Sequence, residues 1–77
     1  MADREEKLNE IISKILLLRA DQLEDSIRRK DYEPWDSMAH LVLISEVENE
    51  FGVFFTDDEV VEIWTLADLR RVLATKF

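Results

Sequence analysis

The chain has 77 residues, of which 47% are hydrophobic, and its 18 acidic and 10 basic residues give a net charge of −8. This length predicts one small folded domain over residues 1–77 and excludes a second domain. The acidic charge would repel a phosphate backbone, so we expect no nucleic acid partner, and the lack of cysteine excludes disulfides and thiolate metal sites.

The N-terminal segment is charged throughout, and no apolar run approaches the length of a secretion signal or a membrane span. We therefore expect a cytoplasmic protein that is not inserted in a membrane. We also expect a monomer. An acidic surface promotes encounter with basic surfaces of other proteins, which indicates docking as part of the function.

The first predicted element is a helix over residues 4–18, because its isoleucines and leucines recur three and four residues apart. Asp3 and Glu6 have the spacing of a capping box at its start. Over residues 19–35 the periodicity is lost, which predicts a long ordered loop. The loop ends near Pro34, since a proline disfavours helix at the residue before it.

A second helix is predicted from Ser37 to Phe51, with Gly52 as its C-terminal cap. Its apolar residues are expected to form a stripe that faces the core: Met38, Leu41, Leu43, Ile44, Val47 and Phe51.

Two further helices are predicted in the last third of the chain. Two pairs of residues have capping-box spacing, Thr56 with Glu59 and Thr65 with Asp68. The first pair begins a short helix over residues 57–63, and the second begins a helix over residues 66–74. The elements together predict an all-α bundle of three longer helices and one short helix, with the long loop between helices 1 and 2.

The residues with chemical potential lie at the start of the second helix, in the run Asp36-Ser37-Met38. A serine at a helix N-terminus after a long loop has an exposed hydroxyl, and the free N–H groups and dipole there favour a phosphate group. Aspartate followed by serine is also a common start of a helix, in which Asp36 caps and Ser37 simply follows. Both interpretations stay open on these residues alone.

From Pro34 onward the sequence resembles the acyl carrier protein family, in which Asp-Ser-Leu opens a helix that ends in Glu-Glu-Phe or a similar run. The matching runs here are Asp36-Ser37-Met38, Val47-Glu48-Asn49-Glu50-Phe51 and Thr56-Asp57-Asp58-Glu59. The resemblance implies an acyl-carrier-protein-like bundle that holds 4′-phosphopantetheine on Ser37. A phosphopantetheinyl transferase would attach the group from coenzyme A, with Asp36 helping to present the serine.

The same resemblance implies a phosphoprotein that carries an acyl group as a thioester between acyl-loading and acyl-transfer enzymes and is not itself an enzyme. It implies a surface on helices 2 and 3 for docking partners, formed by Met38, Glu46, Glu48, Asp57, Asp58 and Glu62. It also implies an interior that accepts the acyl chain, lined by Ile44, Val47, Phe55, Val60, Ile63 and Leu69. These lining residues could equally be ordinary core, and two of them are bulky, which favours a small cargo or one left in solvent.

Departures from the family pattern bear on the subtype. Pro34 stands where glycine is usual, and Ala39 and Val42 stand where fatty-acid carriers often have acidic residues. We therefore expect a stand-alone carrier in a specialised pathway related to fatty acid or polyketide biosynthesis. The alternatives are an aminoacyl, D-alanyl or peptidyl carrier, and an acidic helical docking module without a prosthetic group. Met38 in place of leucine resembles the D-alanyl carrier proteins.

Other candidate residues are assigned structural roles. His40 is the only histidine and has no plausible oxyanion hole near it, so we expect a solvent-facing residue and no catalytic site. The acidic run after Thr56 lacks the central glycine of a calcium loop, so we expect no metal site. Trp35 and at least one of Phe54 and Trp64 are expected in the core.

Overall fold

The computed structural model describes residues 3–77, which form four α-helices. The helices are α1 (Arg4–Leu16), α2 (Ser37–Phe51), α3 (Asp57–Glu62) and α4 (Leu66–Ala74). The long loop after α1 contains a short 3₁₀ helix at Ala20–Gln22. The predicted all-α fold class is confirmed, and no helix among residues 3–77 is long and apolar enough to cross a bilayer.

Every α-helix begins at a residue whose side chain accepts a backbone hydrogen bond. The Asp3 carboxylate accepts from the Glu6 N–H at 2.9 Å, and Asp36 accepts from the Ala39 N–H at 2.8 Å. Of the three capping boxes predicted from the sequence, the two at α3 and α4 are complete: Thr56 with Glu59, and Thr65 with Asp68. Such a cap typically contributes about 1 kcal/mol, so the helix starts are well specified by local sequence.

The end of α1 differs from the prediction, because the helix stops at Leu16 and does not continue to Leu18. Leu17 has φ 58° and ψ 43°, in the left-handed region, and the Leu18 N–H donates to the Ser13 carbonyl at 3.1 Å. This is a Schellman-type ending, which normally uses glycine at the left-handed position. The sequence has no glycine there to announce it.

The core is a single cluster in which α1, α2 and α4 bury their apolar faces and the long loop contributes one tryptophan. Its buried members are Leu8, Ile12, Leu16, Leu18, Trp35, Leu43, Ile44, Val47, Phe55, Ile63, Leu66, Leu69, Val72 and Leu73. Trp35 is 1% exposed and is the largest fully buried side chain, so its predicted place in the core is confirmed.

Four apolar residues predicted or considered for the core lie on the surface instead. Met38 and Leu41 are exposed, because α2 carries more apolar residues than one face can bury and its core face is the one with Leu43. Phe54 is exposed because it lies in the extended segment after α2, where alternate side chains point outward. Trp64 is partly exposed and packs under the Arg29 guanidinium, 4.1 Å from the ring centroid.

The long loop is held by backbone hydrogen bonds to the segment that leads into α4. Three N–H groups donate across this contact: Arg29 to the Trp64 carbonyl at 2.7 Å, Leu66 to Ile27 at 3.2 Å, and Ala67 to Asp25 at 3.1 Å. The Tyr32 hydroxyl donates to the Leu16 carbonyl at 2.8 Å and anchors the loop to α1. The loop therefore delivers Trp35 and Asp36 to α2 in a fixed position.

A single guanidinium joins α4 to α1 and to the loop. Arg70 donates to the Glu5 carboxylate at 2.9 Å, to the Asn9 side-chain oxygen at 2.7 Å and to the Asp25 carboxylate at 2.9 Å. The Arg70 side chain is largely buried, whereas its two carboxylate partners are exposed. The contact fixes the position of α4 more through hydrogen-bond geometry than through net charge attraction.

Candidate functional site

Ser37 is the first residue of α2 and lies on the surface directly after the long loop. Within residues 3–77 its hydroxyl makes no hydrogen bond, because the neighbouring Asp36 carboxylate is the group that caps the helix. The backbone N–H groups of Ser37 and Met38 belong to the first turn, where a helix has no carbonyl of its own to offer them. The structure thus places Ser37 and Asp36 as the sequence predicts.

This arrangement suits an anionic group on the serine oxygen. The first-turn N–H groups and the positive end of the helix dipole stabilise negative charge, and the exposed hydroxyl can be reached by another protein. Ser37 therefore has the access needed for a modification and no structural duty that a modification would disturb.

His40 lies one helical turn after Ser37, and it is buried, with 2% of its surface exposed. Its Nδ1 atom accepts a hydrogen bond from the Trp35 indole N–H at 3.0 Å. Because the indole nitrogen can only donate, the imidazole proton must be on Nε2, which donates to the Val60 carbonyl at 2.8 Å. Both ring nitrogens are satisfied, which is why the residue tolerates burial.

The prediction that His40 faces solvent is therefore wrong. The sequence did not show which groups could hydrogen-bond a buried imidazole at position 40. Those groups are Trp35 in the loop and Val60 on α3, and both lie outside α2. Burial lowers the pKa of His40, the Val60 hydrogen bond opposes that change, and the positive charge of Arg29 lowers the pKa further. His40 is neutral at pH 7 and does not hydrogen-bond the Ser37 hydroxyl.

An exposed apolar stripe runs along α2 beside Ser37 and consists of Met38, Leu41 and Val42. Met38 is 74% exposed, so its side chain is accessible at the protein surface. Leu41 and Val42 were not among the predicted site residues. The signal that could have identified them is the excess of apolar residues in α2 over what one helix face can bury.

The predicted acidic docking residues do not form one uniform group. Asp57, Asp58 and Glu62 are exposed on α3, and Glu46 is half-buried on α2. Glu48 differs, because its carboxylate accepts the Phe55 N–H at 2.8 Å and so holds the segment that follows α2. Glu48, like Glu46, is half-buried and not fully exposed, and a charge-assisted hydrogen bond gives its side chain a structural role as well.

The residues predicted to line an acyl-accepting interior are packed as core. Ile44, Val47, Phe55, Ile63 and Leu69 are buried, and Val60 is half-buried against them. Three surface hollows of about 500, 740 and 290 Å³ are each lined in part by α1 residues. Within residues 3–77, none of these three hollows is lined by Ser37 or by a residue of α3.

Among the acidic residues at the start of α3, Glu59 is held by internal contacts. Lys76 donates to the Glu59 carboxylate at 2.7 Å, and this hydrogen bond is the main reason that the pKa of Glu59 is lowered, followed by the bond from the Thr56 N–H. In the part of the chain that the structure describes, no group of three or more acidic or histidine side chains could hold a metal ion.

No model of a known protein family matches the chain, and no curated protein matches it at a significant level.

Proposed function

We propose that this chain is an acyl carrier protein whose Ser37 hydroxyl is esterified with 4′-phosphopantetheine. One observation carries the proposal. Ser37 is exposed at the first position of α2 and its hydroxyl makes no hydrogen bond within residues 3–77, while the neighbouring Asp36 is the N-cap of the helix. A helix-opening serine without a structural role, at the end of the helix that favours phosphate, is suited to this modification. The resemblance of residues 34–77 to carrier proteins supplies the identity of the group.

The architecture supports the same proposal. Three longer helices, a short α3 and a long ordered loop before α2 form the arrangement that the resemblance implies. Because one fold serves many functions, this likeness counts only together with the geometry at Ser37.

The residues present fit the proposed group. In the attachment step, the Ser37 oxygen forms a bond to the phosphorus next to the pantetheine of coenzyme A, adenosine 3′,5′-bisphosphate leaves, and the hydroxyl proton passes to a base of the transferase. The first-turn N–H groups of α2 would stabilise the negative charge of the attached phosphate. When bound, the group supplies a thiol for thioester formation, which a chain without cysteine lacks.

The partners in this proposal are a phosphopantetheinyl transferase and the enzymes that load and remove the acyl group, all acting on a stand-alone monomeric carrier in the cytoplasm. They approach the start of α2, where the apolar stripe offers contact area, and the exposed carboxylates of α3 add negative charge to the surface. A partner with an apolar patch and a basic rim would complement this surface.

Intact mass spectrometry tests the proposal directly. Coexpression with a phosphopantetheinyl transferase of broad specificity should add one phosphopantetheinyl group to the parent chain and none to Ser37→Ala. Ser26→Ala and Ser45→Ala remove other exposed serines and are the matched controls, which should accept the group as the parent does. A folded parent that stays unmodified would refute the carrier assignment and leave the acidic docking module. A modified Ser37→Ala would refute the assignment of Ser37 as the attachment residue.

A charge-reversal experiment tests the docking side. Asp58→Lys combined with Glu62→Lys should slow modification of Ser37 at low salt, and the difference should shrink as salt screens the charges. Each exposed pair contributes about 1 kcal/mol or less, so the effect is on rate and is moderate. Glu10→Lys combined with Glu24→Lys makes the same change in net charge on other exposed positions. Equal slowing by both double variants would show that only net charge matters.

A further inference from the structure

The direct route from Ser37 to the core runs along one face of α2. Residues three and four apart on a helix are neighbours, so His40 lies next to Ser37 on the inner side, and Leu43 and Ile44 follow one turn further in. Ser37 is exposed, whereas His40, Leu43 and Ile44 are all buried. His40 is therefore the buried residue of α2 nearest to Ser37, and it stands at this end of the apolar interior between α2 and α3.

His40 is held in this position from two sides. The Trp35 indole N–H donates to Nδ1 from the loop before α2, and Nε2 donates to the Val60 carbonyl on α3. Moving the imidazole aside would break both bonds and leave buried polar groups without partners unless water entered. Within residues 3–77 no buried side-chain nitrogen or oxygen lacks a partner as the structure stands.

The far end of the same interface is also held. The Glu48 carboxylate accepts the Phe55 N–H, and the Phe55 ring is buried in the core cluster. Leu43, Ile44 and Ile63 are buried between these two contacts. The side of the interior nearest Ser37 is therefore packed, with a hydrogen-bonded contact between α2 and α3 at one end and a carboxylate-held segment at the other.

We propose, on the basis of the proposed carrier function, that His40 closes the interior to the cargo, so that the acyl group remains in solvent. The substrate class that fits is a short acyl group or one with polar substituents, such as hydroxyl, amino or carboxyl groups. A long alkyl chain loses the advantage of burial on such a carrier, whereas a polar acyl group is better solvated outside the core.

The test compares a short and a long acyl group on the same serine. A phosphopantetheinyl transferase loads the parent chain with butyryl or octanoyl coenzyme A, and intact mass verifies each product. The rate of thioester cleavage by hydroxylamine and the melting temperature are then measured. With the acyl group in solvent, the two cleavage rates should agree within about twofold, because no opening of the fold precedes attack.

The opposite result is equally well defined. Burial of the extra methylene groups would slow cleavage of the octanoyl thioester by about tenfold or more and raise the melting temperature with chain length. That outcome would overturn the inference and leave the carrier function standing. If neither group is attached to Ser37, the carrier function itself fails, and the inference fails with it.

Substitution of His40 tests whether this residue is the one that closes the interior to the acyl group. His40→Ala should make cleavage of the octanoyl thioester slower than that of the butyryl thioester, because a path to the core is opened. Trp35→Phe removes the indole donor while keeping a large ring and is the second variant if circular dichroism shows that His40→Ala is unfolded. Phe54→Ala, at an exposed aromatic residue outside the apolar stripe, is the control and should behave as the parent. A folded His40→Ala with the parental ratio would show that another residue closes the interior.

Discussion

The two ends of α2 are built in contrasting ways. At the N-terminal end the outermost residues, Ser37 and Met38, make no structural contact that the helix depends on, and the stability resides beneath them in Trp35 and His40. At the C-terminal end the outermost residue is itself structural, because Gly52 has φ 64° and the Val53 N–H donates to the Glu48 carbonyl at 3.3 Å.

This contrast separates positions that can serve a partner from positions that maintain the fold. At the N-terminal end, the surface residues can be modified because the buried residues Trp35 and His40 hold the helix in position. At the C-terminal end, the backbone conformation leaves little freedom for function. The same division predicts how substitutions at each end affect stability.

The largest effect is expected at the buried layer of the N-terminal end. Trp35→Ala should lower the free energy of unfolding by about 3–5 kcal/mol, because it empties a large core site and leaves the His40 Nδ1 atom without its donor. Urea unfolding followed by circular dichroism measures the loss. Phe54→Ala, at an 83% exposed aromatic, should stay within about 0.5 kcal/mol of the parent. Similar losses of unfolding free energy in Trp35→Ala and Phe54→Ala would contradict the contrast between the buried residues and the surface.

A smaller effect is expected at the C-terminal end. Gly52→Ala should cost about 1 kcal/mol, and the cost arises from backbone conformation alone, because an added Cβ would meet no heavy atom within 4 Å. The matching test is at the end of α1, where Leu17 adopts the same conformation without being glycine. Leu17→Gly should stabilise the protein by about 0.5 kcal/mol, as relief of strain outweighs the added freedom of the unfolded chain. A loss of stability in Leu17→Gly would show that the exposed leucine has packing of its own.

Acid should weaken the N-terminal end before the rest of the molecule. The folded pKa of His40 is lower than the unfolded one, so the neutral form is favoured by folding, and stability is complete above the unfolded pKa of about 6.5 and declines as the pH falls below it. Protonation turns Nδ1 into a donor that faces the Trp35 donor, with Arg29 as the nearby positive charge.

Melting temperatures measured in steps from pH 7.5 to pH 4.5 test this expectation. His40→Gln can accept from Trp35 and donate to Val60 without titrating, so its melting temperature should be flat in that range. The lowered pKa values of Glu59 and Asp68 give contributions that are complete above the ordinary values of 4.5 and 3.8 and are lost as the pH falls through the lower folded values. A parental curve equal to that of His40→Gln would show that His40 does not govern the acid response.

The smallest effect is expected at Ser37. Ser37→Ala should change the free energy of unfolding by less than about 0.5 kcal/mol, because its hydroxyl bonds to no other group within residues 3–77. The adjacent Asp36→Ala should cost about 1 kcal/mol, since it removes the acceptor for the Ala39 N–H. Equal losses in the two variants would mean that the serine has a structural role and that the N-terminal end is not free for modification.

Local signals in the sequence determined the helix starts well. The capping residues Asp36, Thr56 and Thr65 each stand before a predicted helix, and each accepts the expected backbone hydrogen bond. The predicted end of α2 at Gly52 also agrees, because glycine is the residue that favours the left-handed conformation. The end of α1 was predicted wrongly, since Leu17 adopts that conformation against its intrinsic preference.

The set of core residues on α2 and the burial of His40 could not be predicted from the sequence, because both depend on contacts with other elements. On α2, apolar residues occupy several sides, so spacing alone could not distinguish the buried Leu43 from the exposed Leu41. Burial of His40 depends on a carbonyl of Val60, which the sequence presents only as part of another helix. The exposure of Ser37 was predictable, because it follows from its position at a helix start after a long loop.

The backbone contact between the loop and the start of α4 has a consequence for the order of events during synthesis. The loop segment from Asp25 to Arg29 is completed long before its partners, and the N–H groups of Leu66 and Ala67 must emerge from the ribosome before two of the three bonds can form. Closing a loop of this length costs conformational entropy, and the hydrogen bonds that offset the cost can form only when both segments have been synthesised. We therefore expect a nascent chain that ends before Leu66 to display Ser37 on an unfixed loop, so that a native presentation of the serine begins only when α4 has been made.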